Sequence, residues 1–178
     1  MKKEINILQE SHRVLYRLAN GALLTTKLQE KVNTMTIGWG TIGIEWKEPV
    51  FIAFVRQSRY TKEILDATGE FTINVPNQGT DPRILSYCGT HSGKDTDKIQ
   101  DLGLTLVDPE QIKVPAIKEL PLTLECQVLY SQAQEYDLLP ETIQRQYYPI
   151  DDSKPVKEKP DVHTMYIAKI IKAYEIID

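Results

Sequence analysis

Asn33-Thr34-Met35-Thr36-Ile37-Gly38-Trp39-Gly40 puts Met35, Ile37 and Trp39 on one face of an extended chain and Thr34, Thr36 and Gly38 on the other. Side chains on a strand alternate between faces, so this stretch predicts a half-buried β-strand from Asn33 to about Gly40. Upstream, Ala22-Leu23-Leu24-Thr25-Thr26 is β-prone and ends in the polar turn Gln29-Glu30-Lys31, which predicts a hairpin with it. Downstream, Pro49-Val50-Phe51-Ile52-Ala53-Phe54-Val55 is continuously apolar and of strand length, as expected of a wall strand buried on both sides. Phe71–Pro76, Leu122–Tyr130 and Met165–Ile171 read as three further strands. Gly38, Gly40 and Gly43 lie close together, and glycines in strands mark a bulge, a sharp bend or the close approach of another group.

Helical signals lie between the strands. Val14–Leu18 is amphipathic, Tyr60–Ala67 places Ile64, Leu65 and Ala67 on one side before Gly69, Asp81-Pro82 opens a helix through Tyr87, and Asp95–Leu102 is closed by Gly103. Strands and helices do not alternate regularly, and no Gly-x-Gly-x-x-Gly follows the first strand, which disfavours a doubly wound nucleotide fold. The expected class is mainly β with peripheral helices, a small β-barrel. The polar, proline-punctuated stretch Pro149–Pro160 reads as a loop rather than a boundary, because too little chain follows it for a second core, so residues 1–178 are expected to form one domain.

Composition narrows the function classes. Of 178 residues, 41% are hydrophobic and 26% charged, ordinary values for a globular chain. A net charge of −4 argues against a nucleic-acid partner, since phosphate-backbone affinity needs many cations on one face. The apolar run Val50–Val55 is far shorter than the ~20 residues that span a bilayer, and Met1-Lys2-Lys3-Glu4 is not followed by a signal-peptide core, so the expectation is a cytoplasmic protein without a membrane partner. Cys88 and Cys126 stand far apart without a Cys-x-x-Cys partner, as reduced, buried thiols would, and His12, His91 and His163 show no metal-ligand spacing.

Three polar strings could carry chemistry. Ser58 in Ser58-Arg59-Tyr60-Thr61 can be the N-cap of the helix from Tyr60, with Thr61 in its first turn. Capping does not explain Arg59, because a cation at a helix N-terminus opposes the helix dipole by ~0.3–1 kcal/mol unless an anion answers it. A phosphate there would meet the dipole, the guanidinium and the hydroxyls of Ser58 and Thr61. Asn33 can be a turn residue and Met35 a core residue; alternatively Asn33 and Thr36 hydrogen-bond a flat polar ring against which Met35 packs. Ser92-Gly93-Lys94-Asp95-Thr96-Asp97-Lys98 can be a loop and a helix capped by Asp95 or Thr96, or Lys94 and Lys98 can add positive charge near a phosphate.

Taken in order, Asn33–Trp39, Arg56–Thr61, Phe71–Pro76 and Ser92–Lys98 resemble the flavin reductase-like, flavoredoxin-type family of FMN-binding split barrels, over roughly Leu15–Leu106. The resemblance implies a six-stranded Greek-key split β-barrel and a homodimer with FMN near the subunit interface. It also implies reduction by NADH, NADPH or a protein donor, and a small-molecule or protein electron acceptor. By position it places Asn33, Met35 and Thr36 along the isoalloxazine, and Arg56, Ser58, Arg59 and Thr61 along the ribityl phosphate. Ser92, Lys94 and Lys98 fall nearby. His163, in Asp161-Val162-His163, resembles the late Asp-His element of nicotinamide-using relatives and is the candidate catalytic residue, close to the flavin. Ala168-Lys169-Ile170 stands where a Gly-Glu-Val-like run is usual, and a valine separates Asp161 from His163. The expected function is an FMN-dependent NAD(P)H oxidoreductase of flavin-reductase type, with a flavoredoxin-like electron carrier reduced by a protein partner as the alternative.

Overall fold

A computed structural model describes residues 1–150 and 160–177; the expected loop Pro149–Pro160 therefore falls largely outside the described residues. The strands are β1 (Lys2–Glu4), β2 (Ala22–Leu28), β3 (Lys31–Ile37), β4 (Gly40–Glu45), β5 (Glu48–Arg56), β6 (Glu70–Val75), β7 (Leu106–Val107), β8 (Ala116–Ile117), β9 (Leu122–Ala133) and β10 (His163–Ile176). The helices are α1 (Ile7–Leu18), α2 (Tyr60–Thr68), α3 (Pro82–Thr90), α4 (Lys98–Leu102) and α5 (Glu141–Tyr147).

The fold is mainly β, with the helices set around the sheet. One antiparallel sheet runs β3-β2-β6-β9-β10-β5-β4, with β1 added beside β10. Its outermost strands β3 and β4 do not pair with each other, so the barrel is split rather than closed. The six strands read from the sequence are β2, β3, β5, β6, β9 and β10. The sheet has eight, because β1 is only three residues long and β4 carries two glycines that blunt a strand signal. The strand expected over Asn33–Gly40 ends at Ile37, and Trp39 lies between β3 and β4 on the surface. β4 returns to β5 through Trp46 and Lys47, both at positive φ, the backbone of a tight two-residue hairpin.

Alternation decides which faces are covered. Leu24, Ile37, Phe51, Ala53, Val55, Phe71, Ile73, Leu124 and Cys126 fill one core with Val14 and Leu18 of α1. On the opposite face, Leu23, Ile84, Cys88, Leu104, Ile117 and Leu120 pack α3 and the β7–β8 segment onto the sheet. β5 is therefore not buried on both sides throughout: Val50, Phe51, Ala53 and Val55 are buried, whereas Ile52 and Phe54 are half-buried, and Phe54 borders a cavity. Both cysteines are buried free thiols. No helix among the described residues is long and apolar enough to cross a membrane.

Two helix starts differ from expectation. The N-cap of α2 is Arg59, in an extended conformation and without a side-chain cap bond, rather than Ser58. The Ser58 amide and hydroxyl both donate to the Asp161 carboxylate, at 2.9 and 2.7 Å, which draws that residue away from the cap. α4 begins at Lys98 with Asp97 as its cap, because the Asp95 and Thr96 amides are already used in a turn onto the Ser92 carbonyl.

Candidate functional site

Two neighbouring cavities share Met35 and Arg59 in their walls. The smaller, about 80 Å³, lies where β3 meets the start of α2, the end of α3 and the turn before α4; Asn33, Ser58, Thr61, Ser92 and Lys98 line it. The larger, about 180 Å³, opens between β3 and β5, with Thr36, Trp39, Phe54, Arg56 and His163 in its wall. All the sequence-predicted site residues except Lys94 thus fall along one continuous depression. Lys94 is exposed, ion-pairs with Glu63 and lies over the Tyr60 ring.

At the smaller cavity the geometry is built from β3 outward. Buried Asn33 donates from Nδ2 to Thr61 Oγ1 at 2.9 Å, tying β3 to the first turn of α2. Because Thr61 Oγ1 accepts that bond, its own O–H is available to donate. Gly93 has no alternative side chain: a Cβ there would stand 1.9 Å from Asn33 Oδ1. Lys98 is buried and donates to the Thr34 carbonyl at 2.8 Å and the Cys88 carbonyl at 3.1 Å, so it caps the end of α3 while its charge stays beside the cavity. Burial lowers the pKa of Lys98 and pushes the Cys88 thiol up to about 11, an inert thiol.

The Arg59 guanidinium has no hydrogen-bond or ion-pair partner among the described residues, although it borders both cavities. The adjacent amides of Tyr60 and Thr61 are the first two of α2 and lack an intrahelical acceptor. Among the described residues, neither cavity wall contains an Asp or a Glu. In a chain of net charge −4, that donor-rich and acid-free lining fits an anion.

Three predicted residues are partly committed elsewhere. Thr36 donates to the Leu85 carbonyl at 2.6 Å and so pins α3 to β3. Arg56 donates to the carbonyls of Asp161 and Tyr147, at 3.1 and 2.9 Å, and lies over the Tyr148 ring. Ser58 is held by Asp161, as above. Asp161 thus fixes the β5–α2 turn and balances Arg56.

His163 begins β10 opposite Arg56 and is buried. Its ring lies 4.7 Å from the Trp39 ring, and its Nδ1 is 2.7 Å from the Tyr148 hydroxyl. Burial and then the Arg56 charge depress its pKa to about 4, so it is neutral at pH 7. Sequence reasoning missed Gly93, Tyr148 and the site role of Trp39. Gly93 was visible as a glycine within a polar string; Tyr148 carried no signal, since only folding brings it to His163.

The flavin reductase like domain family matches residues 15–176. This chain belongs to that family. It is 35% identical to an uncharacterized protein of Archaeoglobus fulgidus over 100 residues, which is 56% of this chain and 55% of that protein. Against the Escherichia coli protein YddH it is 28% identical over 137 residues, 73% of this chain and 71% of the other. The chain thus matches little more than half of the Archaeoglobus relative's length. The crystal structure of flavoredoxin from Methanosarcina acetivorans is 26% identical, covers 88% of this chain and 68% of its own, and superimposes with a TM-score of 0.63. An FMN-binding domain of a flavin reductases-like enzyme from Shewanella baltica has the same fold, with a TM-score of 0.66 at 17% identity, 98% of this chain and 77% of that one.

Proposed function

We propose that this flavin reductase like chain binds FMN along the paired cavities and works as an NAD(P)H-dependent oxidoreductase passing electrons to a second acceptor. The observation that carries the reading is the Arg59 guanidinium beside the start of α2, without a partner and in a lining free of carboxylates among the described residues. FMN, when bound, supplies hydride acceptance and electron transfer at its N5.

The residues divide the work by position. Arg59, the Thr61 hydroxyl and the free amides of Tyr60 and Thr61 hold the phosphate in the smaller cavity, with Ser92 and the Lys98 charge behind them. Asn33 and Met35 meet the ring at the junction of the cavities, and Thr36, Arg56 and Ser58 act mainly by fixing α3 and the β5–α2 turn around it. Trp39 and His163 stand at the larger opening, where a reductant or acceptor would enter. The homodimer implied by the family belongs to the same proposal; Ile44 and Trp46 on the β4–β5 hairpin leave apolar surface exposed for a second copy.

Purified protein should be yellow, or become so with added FMN, and should bleach with NADH or NADPH in the absence of oxygen. A colourless protein that ignores FMN would end the proposal. The second reading, an electron carrier reduced by a protein partner, is favoured by Ala168-Lys169-Ile170 and by the likeness to a flavoredoxin. It gives a yellow protein that dithionite bleaches and neither nicotinamide does.

A further inference from the structure

His163, Tyr148 and Gln134 form a chain of hydrogen bonds at the edge of the larger cavity, and its proton order can be read from the donors available. The Tyr148 hydroxyl has a single proton and lies 3.0 Å from Gln134 Oε1, an amide oxygen that can only accept. With that proton directed to Gln134, the 2.7 Å contact between the Tyr148 oxygen and His163 Nδ1 is a hydrogen bond only if Nδ1 carries the proton. The main chain holds the three in register: the Gln134 amide donates to the His163 carbonyl at 2.9 Å, and Tyr148 is buried beside them with the Arg56 guanidinium over its ring.

A neutral imidazole with its proton on Nδ1 has a bare Nε2. No partner for Nε2 is present among the described residues, and His163 lines the larger cavity. We propose that Gln134 and Tyr148 are positioning residues that lock His163 in the Nδ1–H tautomer, so that it presents a hydrogen-bond acceptor, and no donor, to whatever enters the cavity. The ligand group that meets it must then bring its own N–H or O–H, as a carboxamide or phenol does; a carboxylate finds no donor at Nε2. The charged and titratable groups around the ring are Arg56 and Arg59, which oppose its protonation, Asp161, which favours it, and the Tyr148 hydroxyl. The balance leaves it neutral through the physiological range, so the tautomer rather than the charge is what the protein controls.

This inference rests on the proposed site, but it is tested on the protein without any flavin, so absent FMN binding and a wrong tautomer are separate results. Long-range ¹H–¹⁵N spectra of the full-length chain at pH 8 should give His163 a protonated Nδ1 and a bare Nε2. Gln134→Ala leaves the Tyr148 proton free to turn to Nδ1 and should move the histidine proton to Nε2. Gln134→Glu offers only acceptors and should restore the original pattern, which a merely structural role of Gln134 would not require. Tyr148→Phe should likewise lose the Nδ1–H preference. A wild-type spectrum with the proton on Nε2, as it would be with the Gln134 amide turned the other way, overturns the proposal, as does an unchanged tautomer in both Gln134→Ala and Tyr148→Phe.

Discussion

Arg59 and His163 face the same cavity with opposite commitments. Arg59 spends none of its five donors on the described protein, so Arg59→Ala should leave stability within about 0.5 kcal/mol by urea unfolding. FMN affinity should fall roughly 10- to 150-fold in a fluorescence titration, the loss of a charge-assisted contact of ~1.5–3 kcal/mol. Unchanged affinity would remove the phosphate role. His163 is committed through Nδ1 to Tyr148, and its depressed pKa makes it a stability group. The unfolded chain takes its proton near the ordinary 6.5, the folded one only near 4, so below pH 6.5 the unfolded state binds more protons and stability drops as pH falls through that window. Between pH 7.5 and 4.5 this should contribute roughly 2–3 kcal/mol of loss. His163→Gln should flatten the pH dependence of the urea midpoint by that amount, and an equally steep profile in the variant would refute the assignment. Arg59 was legible in the sequence as a cation out of place at a helix start, and His163 through the resemblance of Asp161-Val162-His163 to a family element. Their partners were not: Asp161 holding Ser58 and Tyr148 holding His163 are contacts between segments that no local pattern connects.

Glycine-bearing β4 shows how far element-level reading carries. Alternation was read in β3, β9 and β10, where side chains of successive residues take opposite faces, whereas β2 and β6 were read as strand-like runs and are buried along nearly their whole length. β4 was invisible since Gly40 and Gly43 remove the side chains that make a period, and its hairpin turn uses Trp46 and Lys47 in place of the usual Asn-Gly. The helix starts were misplaced for another local reason: side-chain oxygens compete for the same free amides, and tertiary partners decide which one caps. Close approach, expected of the glycines collectively, holds at Gly40, where a Cβ would be 2.7 Å from Phe51 Cζ and 3.1 Å from the Ile52 carbonyl. At Gly43 a Cβ would meet nothing within 4 Å. Gly40→Ala should therefore cost about 1–3 kcal/mol through overpacking, while Gly43→Ala should be neutral or slightly stabilising. Denaturant midpoints of the two variants separate these cases, and equal losses would mean that β4 does not lie over Phe51 as described.

Across the whole molecule the net charge of −4 and the cationic cavity pull in opposite directions on a dianionic ligand. Which one wins depends on distance. Among the described residues no Asp or Glu lines either cavity, and repulsion from surface acids beyond the Debye length of ~10 Å at 0.1 M salt is largely screened. Arg59, by contrast, would act at contact, where two unit charges about 4 Å apart still gain ~1 kcal/mol even in water-like surroundings and more beside a buried Lys98. The local attraction should therefore dominate at physiological ionic strength, and further salt has only that attraction left to weaken. FMN should bind at least tenfold more tightly than riboflavin, which shares the ring and lacks the phosphate. Raising salt from 0.1 to 0.5 M should reduce FMN affinity several-fold and leave riboflavin unchanged. Calorimetric or fluorescence titrations of both compounds at the two salt concentrations check this. If riboflavin bound as tightly as FMN, or both weakened in parallel, recognition would rest on the ring alone and the start of α2 would have no part in it.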